Sequence, residues 1–310
     1  MRAAVFDRYG PPEVLQVVDL PAPAPRPDQV RVRVRSAGVQ PFDTYVRQGL
    51  PGFSAQAFPQ QLGQEFSGVV DQVGGAVTGW VDGDEVLGWA HMTSHAEYVL
   101  TGANALVPKP RDVTWDEAGA LSSSGQTACT ALRALHVGSG QTVLIHAAAG
   151  GVGTIAVQLA RAWGARVIGT ASATNHAYLA GLGAIPVAYG PGLTDRVRAV
   201  APGGVDAALD AAGGQALRDS LGLVQDRSRI ATLVDHDQAD RLGVRGVRAR
   251  LCAEQLDELT ALHRAGVLRI LIRESFPLER IADAHRAIET RHGRGKIVLR
   301  IANQGQGKHA

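Results

Sequence analysis

The strongest constraint on this chain is a glycine cluster that separates a strand-like run from a helix-like run. Residues 143–153 read VLIHAAAGGVG, and apolar residues at helical spacing follow them. Glycines let the backbone turn sharply and approach a pyrophosphate, whose charge is attracted to the free N–H groups of a helix N-terminus. Strand, turn and helix occur in the required order, which favours dinucleotide binding over a plain tight turn. The loop residues that we expect to contact the cofactor are Ala149, Gly150, Gly151 and Val152.

Strand-like and helix-like runs alternate from about residue 121 to residue 261. The strand-like runs lie at 143–147, 166–171, 205–210 and 228–234. Such alternation is typical of a parallel, doubly wound sheet with helices on its faces. We therefore predict an α/β protein in which residues 121–261 form a Rossmann-type cofactor domain.

The first third of the chain reads as β-rich. Valine and arginine alternate over residues 29–35, which places the valines on one face of a strand. Similar short runs lie at 66–73, 84–89 and 95–100. The pattern changes at Thr114, because Thr114 and Glu117 have the spacing of a capping box that begins a helix.

The last part of the chain is predicted to contain one helix and one strand. A helix is predicted at about 278–291 and a strand at 296–301.

Composition and charge narrow the classes of partner. The 310-residue chain has a formal net charge of +2, which is too small to predict nucleic-acid or membrane-surface binding. No apolar run approaches the ~18 residues of a membrane-spanning helix, and no signal-peptide-like segment opens the sequence. Cys129 and Cys252 are far apart and belong to no Cys/His cluster. We expect a cytoplasmic protein with a small-molecule substrate, no disulfide framework and no structural zinc.

The residues after the second strand of the cofactor domain indicate which nucleotide binds. NAD-binding folds of this type usually carry Asp or Glu ~20 residues beyond the glycines, where it binds the ribose 2′-hydroxyl. No acidic residue occurs between Thr154 and Thr194, and Ser172 and Asn175 follow the strand at 166–171. Hydroxyl and amide groups donate hydrogen bonds to a 2′-phosphate, whereas a carboxylate repels it. The sequence therefore predicts NADPH.

Several ordered motifs resemble one known family over essentially the whole chain. They are GVQPFDTYVRQG at 38–49, LGQEFSG at 62–68, GDEVLG at 83–88, HAEYV at 95–99, HAAAGGVG at 146–153, LGA at 182–184 and GRGKIVL at 293–299. Together they resemble the quinone oxidoreductase branch of the medium-chain dehydrogenase/reductase superfamily. The resemblance implies a β-rich, GroES-like catalytic domain that is formed by residues 1–120 and completed by residues 262–310. This domain would accompany a Rossmann-type, doubly wound parallel-sheet cofactor domain at residues 121–261. The resemblance also implies a homodimer that is formed through edge strands of the two cofactor domains.

The resemblance further implies a site without a metal. Zinc-dependent relatives place a metal-binding Cys where this chain has Gln40, and a His where it has Gln64. An amide is a poor zinc ligand compared with thiolate or imidazole. His91 and His95 have i, i+4 spacing, but they lie in a loop–strand region where a structural role is favoured.

Relatives also indicate which side chains contact the cofactor. The resemblance places the 2′-phosphate against Ser172, Asn175, Tyr189 and Arg291, with Asn175 at a position where relatives carry Lys. Thr127 resembles a nicotinamide-side contact. Leu233, near the end of the strand at 228–234, completes the expected cofactor contacts. A surface role for Arg291 remains the alternative.

Catalysis is assigned to Tyr45 and Gln40. Tyr45 matches a family tyrosine that faces the active-site cleft, where its hydroxyl would bind the substrate oxygen or relay a proton. A buried tyrosine with a satisfied hydroxyl fits equally well. Gln40 would line the cleft. The leading hypothesis is NADPH-dependent hydride transfer to a quinone, enone or other activated C=C or C=O group. The alternatives are a zinc-free ketone or carbonyl reductase and a non-catalytic NADPH-binding sensor or structural protein.

Overall fold

The computed structural model describes residues 1–53, 57–290 and 293–301. Numbered along the chain, the strands are β1 (Arg2–Phe6), β2 (Gln16–Asp19), β3 (Gln29–Val39), β4 (Gln60–Gln61), β5 (Glu65–Val73), β6 (Glu85–Trp89), β7 (Tyr98–Gly102), β8 (Leu106–Pro108), β9 (Thr142–Ile145), β10 (Arg166–Ala171), β11 (Ile185–Ala188), β12 (Ala207–Asp210), β13 (Ile230–Thr232), β14 (Arg245–Gly246), β15 (Ile272–Pro277) and β16 (Lys296–Arg300). The helices are α1 (Pro41–Gln48), α2 (Trp115–Gly119), α3 (Ser122–Ala134), α4 (Gly151–Ala162), α5 (His176–Gly181), α6 (Leu193–Val200), α7 (Gln215–Leu221), α8 (His236–Leu242), α9 (Ala253–Arg264) and α10 (Ile281–Glu289).

The chain divides into two compact units. The first contains Met1–Ser123, Leu251–Arg264 and the described residues from Ile270 onwards, and the second contains Ser124–Arg250 and Ala265–Arg269. The crossing after Ser123 lies close to the predicted boundary at 120/121. The return crossing lies at Leu251 instead of residue 262, because α9 packs against β8 of the first unit and buries Leu256 and Leu259 there.

The first unit is β-rich. Within the described ranges, β15, β16, β3, β5, β6 and β8 follow one another in a mixed sheet, β7 pairs with β3, and β2, β1 and β4 form a smaller sheet. The valine–arginine alternation in β3 has the predicted effect, since Val30, Val32 and Val34 are fully buried. The predicted strand at 95–100 is displaced, because β7 begins only at Tyr98.

Helix starts in the first unit follow the capping rules. Thr114 accepts a hydrogen bond from the backbone N–H of Glu117, and the Glu117 carboxylate accepts one from the Thr114 N–H at 3.1 Å. This capping box begins α2 where the sequence predicts a helix. The helix predicted at 278–291 is shorter in the structure, since 278–280 form a 3₁₀ turn and α10 ends at Glu289.

The second unit is a parallel α/β fold. In the part of the chain that the structure describes, its sheet has the order β11-β10-β9-β12-β13-β14, and every pair in it is parallel. Counted from β9, this is the 3-2-1-4-5-6 order of dinucleotide-binding folds, in which ligands bind at the carboxyl ends of the strands. The predicted Rossmann-type sheet is therefore confirmed, and its carboxyl edge is where candidate cofactor contacts are sought.

No helix among the described residues is long and apolar enough to cross a membrane.

Candidate functional site

The glycine loop lies between β9 and α4 of the second unit. After Ile145 the chain turns through Ala147, whose φ is 52°, and Gly150 caps the first turn of α4 with extended backbone. A Cβ on Gly153 would stand 2.3 Å from the Ala147 carbonyl oxygen and 2.7 Å from the Ala148 Cα. Because these are backbone atoms that cannot move aside cheaply, only glycine permits this close packing of the helix against the loop.

The loop is anchored to the neighbouring strand. The Ala148 N–H donates to the Thr170 carbonyl at 3.0 Å, and a Cβ on Gly169 would lie 2.8 Å from the Ala148 methyl. His146 is fully buried beneath the loop, where its ring nitrogens lie 2.9 Å from the Ser220 hydroxyl and 3.3 Å from the Thr170 hydroxyl. Burial lowers the pKa of His146, since it disfavours the imidazolium. A neutral histidine whose two ring nitrogens both have hydrogen-bond partners thus packs against the glycine loop.

This geometry fits a pyrophosphate. The first N–H groups of a helix have no partner within the helix, and the helix dipole adds positive potential at the same end. The predicted contacts Gly150, Gly151 and Val152 are half-buried at the start of α4, with Ala149 buried beside them. The structure therefore places all four predicted loop residues together at the carboxyl end of β9.

The carboxyl end of β10 carries a cluster of hydroxyl and amide groups. The Asn175 side-chain amide donates to the Ser172 hydroxyl at 3.1 Å, and that hydroxyl lies 2.9 Å from the Thr174 hydroxyl. Ala171 is in register with Ala188 of β11, so Tyr189 follows at the end of the adjacent strand. Its side chain is exposed, with 55% of its surface accessible. Ser172, Asn175 and Tyr189 thus share one edge of the sheet, whereas Arg291 lies outside the described residues.

The loop after β13 is held by a buried carboxylate. Asp210 accepts hydrogen bonds from the backbone N–H groups of Ala212 and Gly213 and from the Thr232 hydroxyl, at 2.8–2.9 Å. The Leu233 N–H donates to the Asp210 carbonyl, also at 2.9 Å. These bonds fix the predicted contact Leu233, which is half-buried, at the same edge as the glycine loop. Thr127, the predicted nicotinamide-side contact, lies half-buried on α3.

Gln40 lies at the end of β3 in the first unit, where it caps α1. The Asp43 carboxylate accepts from the Gln40 N–H at 2.7 Å and from the Gly63 N–H at 3.1 Å. Burial raises the pKa of Asp43, although the two N–H donors oppose that effect. Pro41 occupies the first helical position, where its missing N–H costs nothing. Gln40 is therefore held by backbone bonds at a defined helix start.

The Gln40 side chain belongs to a buried charged cluster. Glu65 and Lys296 are 0% and 3% exposed, and the Lys296 ammonium donates to Glu65 Oε1 at 2.8 Å. Gln40 Nε2 donates to the same oxygen, and the Ser123 N–H donates to Glu65 Oε2 at 2.6 Å. A Cβ on Gly38 would lie 2.1 Å from Glu65 Oε1, so glycine makes room for the carboxylate. This Glu65 cluster comprises Glu65, Lys296, Gln40 and Ser123.

Tyr45 lies on α1, one turn beyond the helix start. Its ring meets the edge of Phe53 at a centroid distance of 5.3 Å, and the side chain is half-buried. Among the described residues, none forms a hydrogen bond with the Tyr45 hydroxyl. The Tyr45 ring is thus held in place by Phe53, while no described residue binds its hydroxyl.

The two glutamines at the family's metal positions have other contacts. Gln64 Nε2 lies 3.9 Å from the Met92 sulfur, and Gln40 binds Glu65. His95 is buried with Nε2 at 3.1 Å from the Gly38 carbonyl. No group of three or more His, Cys, Asp or Glu side chains arranged to hold a metal ion occurs within the described ranges.

Sequence reasoning missed three polar residues that organise these sites. Glu65 and Lys296 occur within the motifs LGQEFSG and GRGKIVL, but nothing local to either segment indicates that they form a pair. Asp210 ends a predicted strand, and an acidic residue at a strand end indicates a loop anchor only when the groups that donate to it are known. For Asp210, the available signal was an acidic residue at the end of an otherwise apolar, strand-like run.

Comparisons with known proteins cover nearly all of the chain. The alcohol dehydrogenase GroES-like domain family matches residues 26–134, and the zinc-binding dehydrogenase family matches residues 182–299. A quinone oxidoreductase of Pseudomonas aeruginosa is 32% identical over 95% of this chain and 98% of that protein. The structure of the quinone oxidoreductase from Coxiella burnetii is 34% identical, with a TM-score of 0.89 over 97% of this chain and 99% of that one. The Escherichia coli quinone oxidoreductase complexed with NADPH is 27% identical, with a TM-score of 0.87 over 96% and 99%.

Proposed function

Because the chain belongs to the quinone oxidoreductase branch of the medium-chain dehydrogenase/reductase superfamily, and is an NAD(P)H-dependent oxidoreductase, we propose that it transfers hydride from NADPH to a quinone or enone without zinc. Relatives named quinone oxidoreductases support the substrate class. The observation that carries the cofactor choice is the cluster of Ser172, Thr174 and Asn175 at the end of β10, which offers donors where an NAD-specific fold offers a carboxylate.

The residues of the second unit would hold the cofactor along the carboxyl edge of the sheet. The N–H groups at the start of α4 would bind the pyrophosphate, and Ser172, Asn175 and Tyr189 would bind the 2′-phosphate. Leu233 and Thr127 would contact the nicotinamide. When bound, NADPH supplies the hydride that reduces the electrophilic carbon of the substrate.

The residues of the first unit would act on the substrate. Tyr45 would donate its hydroxyl hydrogen to the substrate oxygen, where negative charge develops as hydride arrives. Gln40 would present its carboxamide in an orientation that Glu65 fixes. Conjugation spreads the developing charge over an enone or quinone, so a neutral donor suffices where a simple ketone would call for a stronger electrophile.

We expect NADPH to bind at least about tenfold more tightly than NADH, which corresponds to about 1.4 kcal/mol. The reason is the set of uncharged donors at the end of β10, since only NADPH carries a phosphate there. Isothermal titration of the full-length protein with each dinucleotide measures the ratio. Ser172→Asp should abolish or reverse the preference, because its carboxylate would repel the phosphate and accept from a 2′-hydroxyl. Equal affinities in the parent protein would contradict the choice of NADPH.

Activity should persist in the presence of a strong chelator, and the purified protein should contain far less than one zinc per chain. The reason is that Gln40 and Gln64, at the positions of the metal ligands in relatives, offer amides that are already in contact with Glu65 and Met92. Elemental analysis with activity assays before and after dialysis against chelator checks both statements. Stoichiometric zinc that leaves together with activity would show that another ligand set holds a metal.

The homodimer remains a proposal. In the second unit, β14 forms the last position of the sheet described above, and its residues Arg245 and Gly246 are exposed. A second copy pairing along this edge would extend the sheet and cover its unpaired backbone groups.

A further inference from the structure

The Arg196 guanidinium donates hydrogen bonds to backbone carbonyls on both sides of Tyr189. Its Nε and Nη2 donate to the Ala188 carbonyl at 3.0 and 2.9 Å, Nη2 donates to the Gly190 carbonyl at 3.1 Å, and Nη1 donates to the Pro191 carbonyl at 2.8 Å. One guanidinium group therefore binds the peptide groups on both sides of Tyr189.

Backbone hydrogen bonds also help to define the turn between β11 and α6, since the Leu193 N–H donates to the Gly190 carbonyl at 3.1 Å. Gly190 and Gly192 have φ of 94° and 76°, which are conformations that glycine adopts freely but does not enforce. The Tyr189 side chain is exposed, and among the described residues it makes no hydrogen bond that would hold its hydroxyl. The direction of the Tyr189 side chain is thus set by the turn, which Arg196 reinforces by binding three of its carbonyls.

Arg196 also brings a positive charge to the edge of the sheet that carries Ser172. The Ala188 carbonyl that it binds belongs to the residue in register with Ala171, next to Ser172. Its neighbour Asp195 pairs with Arg198 at 3.7 Å, and no carboxylate of a described residue pairs with Arg196 itself. Carbonyl dipoles orient the guanidinium without neutralising it, so its charge acts on this end of the sheet.

We propose that Arg196 is a specificity-determining positioning residue for a ribose 2′-phosphate: it holds the turn that carries Tyr189 and supplies the positive charge that Asn175 does not. This inference rests on the proposed use of NADPH, and it assigns that selectivity to a residue on α6. The ligand chemistry is an adenosine diphosphate with a phosphate monoester at the ribose 2′ position.

The test compares 2′,5′-ADP with 5′-AMP, which differ only in the 2′-phosphate, as calorimetric probes of the full-length protein. Arg196→Gln should weaken 2′,5′-ADP about tenfold, the scale of one charge-assisted contact, and change 5′-AMP less than about twofold. Arg196→Lys keeps the charge but replaces the three guanidinium nitrogens that reach the separate carbonyls by one ammonium, so it should recover part of the loss. Arg198→Gln is the matched control on the same helix, and it should leave both affinities unchanged.

A double-mutant cycle separates positioning from general stability. If Arg196 acts through Tyr189, Arg196→Gln should cost less in a Tyr189→Ala background than in the parent. Equal weakening of both probes by Arg196→Gln, or no weakening of 2′,5′-ADP, would overturn the proposal. A parent protein that binds both probes equally would instead refute the use of NADPH, which is visible before any variant is made.

Discussion

Replacing Lys296 by Met is expected to lower the free energy of unfolding by about 3–5 kcal/mol, the cost of leaving a buried charge without its partner. The Glu65 carboxylate is fully buried, and among the described residues it keeps the Ser123 N–H and the Gln40 amide as donors when the ammonium is removed. Urea denaturation should show a lower midpoint with an unchanged slope, which indicates a loss of stability without a change in the surface exposed on unfolding.

Lys109→Met is the matched control for this variant. Lys109 is also a buried lysine in an ion pair, at 3.3 Å, but its partner Glu85 is about half exposed and regains water when the lysine is lost. Its loss should therefore cost only about 1 kcal/mol. The double variant Glu65→Met with Lys296→Met should be more stable than Lys296→Met alone, because it removes the orphaned charge. Equal losses for Lys296→Met and Lys109→Met would contradict the role given to the pair.

Tyr45→Phe is expected to reduce kcat/KM for enones by about 10- to 100-fold, the weight of one hydrogen bond made in the transition state. The ring stays braced against Phe53, so only the hydroxyl is lost. Affinity for NADPH should remain unchanged, since the hydroxyl is proposed to act on the substrate. Steady-state rates at saturating NADPH and separate titration with NADPH measure the two quantities.

Tyr98→Phe provides the comparison, because Tyr98 is a half-buried tyrosine of the same unit whose ring packs beneath the Arg31 guanidinium. Its kcat/KM should stay within about twofold of the parent, within the range of a neutral surface substitution. A parental rate for Tyr45→Phe, with a normal deuterium effect from labelled NADPH, would make solvent the proton source and leave Tyr45 a packing residue.

The features that sequence predicted are those encoded by neighbouring residues. Alternation in β3, the capping box at Thr114 and the glycine loop each depend on residues a few positions apart, and each produced the expected backbone. The strand predicted at 95–100 was displaced because its first part makes another contact: Ala96 forms an isolated β-bridge with Ala3 of β1. The alternation of residue types looks the same for an isolated bridge and for a strand, so it could not show that β7 begins only at Tyr98.

The features that sequence missed depend on contacts between distant segments. Glu65 and Lys296 are 231 residues apart, and nothing in either motif specifies the other. Arg196 lies just beyond the acid-free stretch that favoured NADPH, and on its own it resembles any arginine on an amphipathic helix. Its partners are backbone carbonyls, which every residue carries, so no residue type in the turn predicts that Arg196 binds there.

For protein engineering, the buried carboxylate at position 65 limits how freely position 40 can be varied. It accepts hydrogen bonds from the Gln40 amide and the Lys296 ammonium at one oxygen and from the Ser123 N–H at the other. A library that replaces Gln40 to admit bulkier acceptors would leave that carboxylate with one donor fewer inside the protein. Selection for a new substrate in such a library should therefore be run alongside a screen for retained folding stability, with position 65 left fixed.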